Sequence, residues 1–245
     1  MNKKIAVITG GSSGIGSQIV KKYCDEGYIV YSTYNHSKLR ADALEKSYID
    51  NLFFYKVNLV NNDSIINFFD QIRIKHGRID CLINNAGVAY PSTFEDLDTN
   101  SWIKTFSVNV FAPFLCIKCA KPLLSKSNNA AIVNISSMRG LLGCGGTDVI
   151  DYSASKAALI NLTQTLAKEF NNITVNVIAP GFVATENSGE LPNVMKNAAI
   201  ENTLIRRFIE MREIADLCFF LTSRSARAIT GTILPIDGGY SLIKL

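Results

Sequence analysis

Short runs of β-branched and other apolar residues alternate with longer segments in which apolar residues recur every three or four positions. The short runs predict buried parallel strands at 5–9, 28–34, 52–57, 81–87, 130–135, 174–179 and 232–236. The longer segments predict helices, the clearest of them at 63–76, 101–124 and 210–221. Strands that alternate with helices predict one parallel sheet with helices on both faces. The pattern indicates an α/β, doubly wound, single-domain chain over residues 1–245 with about seven strands.

Composition narrows the class of protein. Apolar residues make up 47% of the chain and charged residues 19%, which is typical of a soluble globular protein. The net charge of +4 is small and the basic residues are scattered, so we expect no nucleic-acid partner. The apolar segment near the start is too short for a signal peptide, and no run approaches the roughly 18 apolar residues of a membrane span. We expect a cytoplasmic protein with no membrane partner.

The cysteines are predicted to be free thiols. The chain has six of them without paired spacing, and the lack of a secretory signal favours a reducing compartment. Cys116 and Cys119 form a C-x-x-C pattern in an apolar helical run, but there is no second pair and the chain has only two histidines. We therefore predict no metal site.

A glycine-rich turn follows the first predicted strand directly. The segment 10–16 reads Gly-Gly-Ser-Ser-Gly-Ile-Gly, and a helical pattern begins immediately after it. Glycines let backbone N–H groups approach a pyrophosphate, and the helix N-terminus adds a favourable partial charge. The other interpretation is a plain turn between a strand and a helix. In this context we favour a Rossmann-type fold that binds a dinucleotide.

The end of the second strand bears on the choice of cofactor. An acidic residue there would hydrogen-bond the ribose 2′-hydroxyl of NAD, but the sequence has no carboxylate between Thr33 and Asp42. Polar donors such as Asn35, followed by Lys38 and Arg40, would suit a 2′-phosphate. The alternative is a solvated first turn of the next helix. The sequence favours NADP(H) over NAD(H).

Tyr152 and Lys156 lie four residues apart, which places them one turn apart on one face of a helix. A nearby ammonium group favours the phenolate, so we expect Lys156 to lower the pKa of Tyr152. Such a tyrosine can exchange a proton with a carbonyl compound at neutral pH. Taken alone, the pair could equally be an exposed lysine beside a half-buried tyrosine.

Other polar residues occur where a ligand would lie in an open parallel sheet. Ser136 and Ser137 end the fifth predicted strand, and strand carboxyl ends carry ligands in such folds. Asn109 lies in the apolar run 101–124, where it must be either a satisfied core amide or part of a site. Pro113 predicts a kink in the same run. The polar segment 185–205 is predicted to be a lid over the substrate.

Taken together, these motifs resemble the classical short-chain dehydrogenase/reductase family over essentially the whole chain. The motifs occur in that family's order: Thr9-Gly10-x-x-x-Gly14-x-Gly16, Asn84-Asn85-Ala86-Gly87, Asn109, a serine after strand five, Tyr152-x-x-x-Lys156 and Pro180-Gly181. Each motif alone is weak evidence. Six of them in the same order make the resemblance specific.

The resemblance implies a role for each matching residue. Tyr152 would be the general acid in carbonyl reduction, Lys156 would hold the nicotinamide ribose and lower the tyrosine's pKa, and Asn109 would hold a water that links Lys156 to solvent. Ser137 would hydrogen-bond the substrate oxygen, although Ser136 occupies the same region. The cofactor-binding positions implied are Thr9, Gly10, Ser12, Ser13, Gly14, Ile15, Gly16, Asn35, Lys38, Asn58, Leu59, Asn85, Ala86, Gly87, Tyr152, Lys156, Pro180, Gly181, Val183 and Thr185.

The sequence departs from the family pattern in three places. Ser137 is preferred over Ser136 because Ser-Met-Arg-Gly, ending at Gly140, matches the usual Ser-x-x-Gly. The spacing from Ser137 to Tyr152 is two residues longer than is common, with the extra residues within 148–151. Asn58 replaces an aspartate that many relatives have near the adenine, and an asparagine can still hydrogen-bond there.

Within the family, the closest resemblance is to bacterial 3-oxoacyl-[acyl-carrier-protein] reductases. An acidic carrier protein would need a basic rim, which Arg206, Arg207 and Arg212 could supply, or these residues could form a solvated helix face. Against this interpretation, Ser13 stands where those reductases often have a basic residue. Arg139, close to the chosen serine, could instead bind an anionic group of a smaller substrate.

Two alternatives to the carrier-bound carbonyl substrate stay open. The first is a reductase or dehydrogenase of a sugar, polyol or small anionic hydroxy compound. The second is a non-catalytic dinucleotide-binding regulator. The presence of all four residues implied in proton transfer disfavours this alternative: Asn109, Ser137, Tyr152 and Lys156. The apolar character of 108–117 agrees with a homotetramer (or homodimer), the assembly that the resemblance implies, and equally with a buried core helix.

Overall fold

The computed structural model describes residues 3–186 and 193–243 of the chain. Its strands are β1 (Ile5–Ile8), β2 (Ile29–Tyr34), β3 (Leu52–Lys56), β4 (Cys81–Asn84), β5 (Ala130–Ile135), β6 (Ile173–Pro180), β7 (Val183–Ala184), β8 (Ile209–Glu210) and β9 (Ile233–Ile236). Seven of them form one parallel sheet in the order β3-β2-β1-β4-β5-β6-β9, and β7 pairs with β8 separately. The predicted Rossmann-type α/β sheet is confirmed.

Helices cover both faces of this sheet. They are α1 (Gly14–Asp25), α2 (Lys38–Ser47), α3 (Asn62–His76), α4 (Thr99–Phe106), α5 (Ala112–Leu124), α6 (Ile150–Glu169), α7 (Asn193–Glu201), α8 (Met211–Leu221) and α9 (Tyr240–Ile243). On one face, buried side chains of α1 and α8, such as Ile19 and Ile214, pack together against the sheet. On the other face, α3 and α5 do so through residues such as Phe68 and Ile117.

The sheet reverses its direction of growth at β1. Ala6 of β1 is paired with Val30 of β2 on one side and with Cys81 of β4 on the other. In such a sheet a crevice opens above the strand carboxyl ends at the point of reversal. This crevice is where the glycine-rich turn and the residues after β4 and β5 meet.

The long apolar helix is continuous but irregular, and the irregularity precedes the proline. A π-helical segment at Ser107–Phe111 joins α4 to α5, and Pro113 lies in the first turn of α5. A proline is tolerated there because its missing N–H is not needed, whereas π segments are frequent at functional sites. In place of the predicted kink at Pro113, the structure has a π segment centred on Asn109.

The same helical stretch, Thr99–Leu124, is long and apolar enough to cross a membrane by length and composition. The core helix of a soluble protein meets the same criteria. Cys116, Ile117 and Leu124 are buried in the core cluster that includes α3 and the sheet. Packing inside the protein therefore accounts for the apolar residues on the inner side of α5.

The predicted lid at 185–205 falls partly outside the described residues, which omit 187–192. Its later part contains helix α7. At its start, the carboxylate of Glu186 lies 2.7 Å from the guanidinium of Arg40. A lid function stays a prediction.

All six cysteines are free thiols. Burial raises the pKa of the Cys24 thiol to about 12 and raises those of Cys81, Cys116 and Cys218 as well. Among residues 3–186 and 193–243, no group of three histidine, cysteine or acidic side chains could hold a metal ion.

Candidate active site

Gly10 and Gly16 show why the glycine-rich turn needs residues without a side chain. Gly10 has φ +68°, in the left-handed region that side chains disfavour. A Cβ on Gly16 would lie 2.2 Å from the carbonyl oxygen of Gly10. Helix α1 begins at Gly14, and Ser13 gives it no side-chain cap. The first N–H groups of the helix therefore have no capping side chain, which suits a site that binds an anion at a helix N-terminus.

Two predicted cofactor-binding residues hold the turn against β4. The hydroxyl oxygen of Thr9 accepts hydrogen bonds from the backbone N–H groups of Asn85 and Ala86, both at 3.1 Å. The side-chain amide of Asn85 donates back to the carbonyl oxygens of Thr9 at 3.0 Å and Gly10 at 3.1 Å. Thr9 and Asn85 thus use these polar groups within the protein, and they fix the shape of the cradle.

A cleft of about 720 Å³ runs over this cradle. The predicted residues that line it are Gly10, Ser12, Ser13, Ile15, Gly16, Asn35, Asn58, Leu59, Asn85, Ala86, Gly87 and Thr185. Residues that the sequence reasoning missed also line it: Thr33, Tyr34, His36, Ser37, Val57, Val60, Val88, Tyr90, Lys104 and Val108. Most of the missed residues lie at or just after the ends of β2, β3 and β4. Because ligands bind at the carboxyl ends of parallel strands, their place in the sequence could have indicated them.

Lys38 does not line this cleft. Its ammonium group lies 2.6 Å from the carboxylate of Asp42, one turn later on α2. This pairing, typical of residues i and i+4 on a helix, holds the lysine along the helix surface. His36 and Ser37, next to the predicted Asn35, line the cleft in its place.

A second cavity of about 240 Å³ adjoins the cleft and shares Ile15, Asn85, Gly87 and Val88 with it. The side chains predicted to carry the chemistry meet here. The wall of this cavity also contains Ser136, Ser137, Tyr152, Lys156, Pro180, Gly181 and Val183. The carboxyl ends of β4, β5 and β6 thus bring residues from distant parts of the chain to one place.

The structure distinguishes the two serines after β5. The hydroxyl of Ser136 donates to the backbone carbonyl oxygen of Lys156 at 2.9 Å, so it ties β5 to α6. Ser137 lines the same cavity as Tyr152, and its hydroxyl is near enough to the phenol to act on the pKa of Tyr152. Its oxygen also accepts the backbone N–H of Arg139 at 3.1 Å. Ser137 is therefore the serine placed beside the reactive phenol.

Lys156 is buried, and its ammonium donates to the carbonyl oxygen of Ile135 at 2.9 Å. Its nitrogen lies 5.6 Å from the centre of the Tyr152 ring. Because the group is removed from water, burial lowers the pKa of Lys156 to about 8. The lysine is close to the tyrosine but hydrogen-bonds the end of β5.

The pKa of Tyr152 moves in the direction opposite to our expectation. Burial raises it, while the nearby hydroxyl of Ser137 and the charge of Arg139 oppose that rise. The expectation that Lys156 would lower this pKa was wrong for the protein alone, since removal of the phenolate from water has the larger effect. At neutral pH the phenol therefore keeps its proton, as an acid that protonates a carbonyl must.

Asn109 is a fully satisfied buried amide. Its side-chain oxygen accepts the backbone N–H of Val88 at 2.9 Å, and its nitrogen donates to the carbonyl of Val88 at 2.8 Å and to the hydroxyl of Ser155 at 3.0 Å. A Cβ on Gly87 would lie 3.1 Å from the Lys156 nitrogen and 3.3 Å from the Asn109 oxygen. The amide thus joins the turn after β4 to α6 immediately beside Lys156.

Comparison with known proteins agrees with this geometry. Residues 10–241 match the family model described as enoyl-(acyl carrier protein) reductase. The chain is 34% identical over 241 residues to the 3-oxoacyl-[acyl-carrier-protein] reductase FabG of Thermotoga maritima, a match that covers 96% of this chain and 97% of that protein. The chain belongs to the short-chain dehydrogenase/reductase family. The family resemblance is thereby confirmed, and the protein is an NAD(P)-dependent oxidoreductase.

Solved structures superpose closely on this one. A double mutant of a Serratia marcescens short-chain dehydrogenase/reductase has a TM-score of 0.90 at 30% identity, with 97% of this chain and 98% of that chain covered. A blue fluorescent protein from a metagenomic library, solved in complex with NADPH, has a TM-score of 0.90 at 29% identity, with 98% of each chain covered.

One polar residue in this short-chain dehydrogenase/reductase was not singled out from its sequence. Asp151 is 1% exposed. One of its carboxylate oxygens accepts the hydroxyl of Thr105 on α4 at 2.5 Å, and the other accepts the backbone N–H of Tyr152 at 2.8 Å. It lies in the first turn of α6, where the helix dipole favours a negative charge. Asp151 therefore fixes the start of the helix that carries Tyr152.

We expect Asp151→Ala to lower kcat for carbonyl reduction roughly tenfold with little change in the cofactor KM, because a displaced acid costs rate rather than cofactor binding. Asp151→Asn retains an acceptor for the Tyr152 N–H and should recover most of the rate. Steady-state kinetics of both variants, beside Thr105→Val, check this. A destabilised Asp151→Ala with unchanged kcat would show that the residue acts on stability alone.

Proposed function

We propose that this protein is an NADP(H)-dependent reductase that interconverts a ketone and a secondary alcohol. One observation carries the proposal: the protonated phenol of Tyr152 lines a cavity beside Ser137 and Lys156, directly next to the glycine cradle. Bound NADPH would supply the hydride. Tyr152 would give its proton to the carbonyl oxygen, and Ser137 would orient that oxygen by a hydrogen bond.

The glycine cradle fits the pyrophosphate of a nicotinamide dinucleotide. Gly16 lets the turn close tightly, since a side chain there would meet the carbonyl oxygen of Gly10. The uncapped start of α1 leaves N–H groups for phosphate oxygens. The cradle therefore supports binding of the phosphates at the start of α1.

The adjoining cavity fits the nicotinamide end of the cofactor. Lys156, in the wall of this cavity, would hold the nicotinamide ribose. Asn109 would keep the turn after β4 in place around Lys156. Its side-chain groups are already hydrogen-bonded to Val88 and Ser155, so the predicted linking water would have to bind another atom of this residue. Residues 180–183, at the end of β6, would close the nicotinamide end.

Charge around the cleft supports NADP(H) over NAD(H). Among the described residues, no aspartate or glutamate lines the cleft. Asn35, His36 and Ser37 follow β2 with donors that suit a 2′-phosphate. A similar structure contains NADPH.

The two cations after β2 are engaged elsewhere. Lys38 is paired with Asp42, and Arg40 is paired with Glu186. We therefore assign the 2′-phosphate to residues 35–37 rather than to these cations.

The names of the relatives favour a 3-oxoacyl substrate on an acyl carrier protein. For such a substrate we propose a role in fatty-acid synthesis in the cytoplasm. The proposed basic rim for that carrier is partly neutralised. Arg207 makes two hydrogen bonds of 2.8 Å to Glu213, and Arg212 lies 3.6 Å from Asp216. Arg206 donates to the carbonyl of Glu201. Carrier binding at this rim would depend mainly on Arg206.

An oligomer, a homotetramer or a homodimer, is supported by exposed apolar side chains between α4 and α5. Ile103, Phe111 and Phe114 are 56%, 59% and 48% exposed. Three large apolar side chains on one helical stretch are costly to leave in water. Self-association through this stretch would bury them.

A steady-state assay tests the proposed function: oxidation of NADPH and NADH with acetoacetyl thioesters, small ketones and sugars. We expect NADPH to be preferred by roughly tenfold or more, because charge-assisted hydrogen bonds to the 2′-phosphate are absent with NADH. Lys38→Met should leave this preference unchanged, whereas His36→Ala should reduce it. A clear NADH preference would overturn the assignment of residues 35–37.

A smaller, anionic substrate is the second candidate, and a specific observation favours it. Arg139 lies close to Ser137, and no carboxylate within the described residues forms a salt bridge with it. Absence of turnover with every carbonyl compound and both cofactors would instead support a non-catalytic dinucleotide-binding regulator.

A further inference from the structure

Arg139 occupies an unusual position for a charged side chain. It lies in the 3-10 turn Met138–Gly140 that follows Ser137, and it is half-buried. Within the described residues its side-chain hydrogen bonds come from Nη1, which is 3.4 Å from the carbonyl oxygen of Cys144 and 3.5 Å from the hydroxyl of Tyr240. Both distances are at the long limit for an N–H···O bond. A guanidinium has five N–H donors, so most of its capacity is unused by this part of the chain.

Three groups lie close to Arg139. The backbone N–H of Arg139 donates to the hydroxyl of Ser137 at 3.1 Å. Its guanidinium carbon lies 5.8 Å from the centre of the Tyr240 ring, within the range of a cation–π contact. A Cβ on Gly146, in the loop that leads to α6, would lie 3.4 Å from the same carbon. The guanidinium is thus placed between this loop and α9.

Arg139 lies beside Ser137 but outside the two cavities proposed to hold the cofactor. Arg139 lines neither the 720 Å³ cleft nor the 240 Å³ cavity. Its charge is nevertheless close enough to oppose the rise in the pKa of Tyr152. The guanidinium therefore lies near Ser137 and Tyr152 and outside both cavities.

A purely structural role would call for a partner of opposite charge. The buried carboxylate of Asp237 is in the same neighbourhood, since both it and Arg139 affect the pKa of the Cys144 thiol. Asp237 forms no ion pair with Arg139: its two oxygens accept the backbone N–H groups of Gly239 and Ser241, both at 2.9 Å. The half-buried positive charge of Arg139 is left without an acid from the described part of the chain.

We infer that Arg139 binds the carboxylate of the substrate, and that the substrate is an oxo acid reduced at its ketone. This inference rests on the proposed function as a carbonyl reductase. A carboxylate matches the guanidinium in charge and in its two-pronged geometry. One guanidinium offsets one negative charge, which suits a carboxylate better than a doubly charged phosphate. Binding there would direct the neighbouring ketone toward Ser137 and Tyr152.

Matched pairs of acids and neutral esters test this inference. Each of three oxo acids (acetoacetate, 2-oxobutanoate and levulinate) would be compared with its own methyl ester, with NADPH as the reductant. For at least one pair, we expect wild-type protein to reduce the acid with the higher kcat/KM. Arg139→Met should raise KM for that acid by roughly 10- to 100-fold and change that for its ester by less than about twofold. Arg139→Lys should restore part of the loss.

Arg73→Met serves as the control, since it also removes one arginine charge, from a side chain that is 63% exposed. Thermal unfolding and NADPH binding of Arg139→Met show whether the variant is folded. An equal loss for acid and ester, or a wild-type preference for every ester, would overturn the inference. If the esters and thioesters are still reduced in a Tyr152-dependent way, the proposed function survives that outcome. No turnover of any compound would count against both.

Discussion

Tyr152→Phe should lower kcat/KM for carbonyl reduction by about 10²- to 10⁴-fold, the contribution typical of a positioned general acid. The variant keeps the ring and loses only the hydroxyl. That hydroxyl shares a cavity with Ser137 and is the group from which the carbonyl oxygen would take its proton. NADPH binding should change little, because the cleft over the glycine cradle does not include Tyr152.

The pH profile adds a test with a defined sign. Burial raises the pKa of Tyr152, so the phenol is protonated at neutral pH. The rate of reduction should be flat near neutrality and fall as the pH rises toward that pKa. Oxidation of an alcohol needs the phenolate and should rise over the same range.

Tyr48→Phe is a matched control for this experiment. It removes a phenol that hydrogen-bonds Asp25 at 2.9 Å, and that does not line either cavity. Its kinetics should equal those of the wild type. If Tyr152→Phe also kept more than about a third of the wild-type rate, far above the loss expected for a general acid, Tyr152 would not be the acid.

Lys156→Met should abolish most activity and, at neutral pH, leave the protein at least as stable as the wild type. The pKa of Lys156 is about 8 in the folded protein against a reference of 10.5. Holding the charged form in the fold at neutral pH therefore costs on the order of 3 kcal/mol. The variant removes that cost and loses the hydrogen bond to Ile135, worth about 1 to 3 kcal/mol.

The sign of the pH dependence follows from the lowered pKa. Between about pH 8 and 10.5, the unfolded chain binds more protons at Lys156 than the folded protein does. This group therefore makes the wild type more stable as the pH rises through that window. The variant lacks this contribution, so its stability advantage should shrink. Urea unfolding at about pH 7 and at about pH 9.5 measures the difference.

Lys22 is a control lysine whose pKa is shifted in the opposite direction to that of Lys156. Its ammonium lies 2.8 Å from Glu26, and this hydrogen bond raises its pKa. Lys22→Met should be no more stable than the wild type at neutral pH and should keep full activity. A Lys156→Met protein that unfolds more readily than the wild type at neutral pH would show that burial of the charge is not the cost proposed here.

Local patterns predicted the elements closely. The fifth strand was predicted at 130–135 and is observed at Ala130–Ile135, and helix α3 begins one residue before its predicted start. These elements are rich in apolar residues and bounded by turns, so neighbouring residues suffice to define them. The segment 101–124 was predicted as a helix, but its π segment was not. A π segment depends on how side chains such as Asn109 are satisfied by distant partners.

Spacing along the chain was enough to bring some of the predicted site residues together, while their roles stay predictions. The glycine turn and the Tyr152–Lys156 pair lie where the sequence placed them. Lys38 was assigned to the cofactor because it follows β2, yet its side chain turns to Asp42. A lysine at this position can adopt several rotamers, and the nearby carboxylate of Asp42 stabilises one of them.

The amino-acid pattern was enough to establish the order of strands and helices, the glycine positions that shape the cradle and the one-turn spacing of phenol and ammonium. These depend on backbone periodicity and on contacts between near neighbours. Three other properties exist only in the folded protein: Ser137 rather than Ser136 meets Tyr152, Asp151 anchors the helix of Tyr152, and burial raises one pKa and lowers the other. Removal from water and long-range hydrogen bonds control these properties, and both arise only when distant segments are packed together.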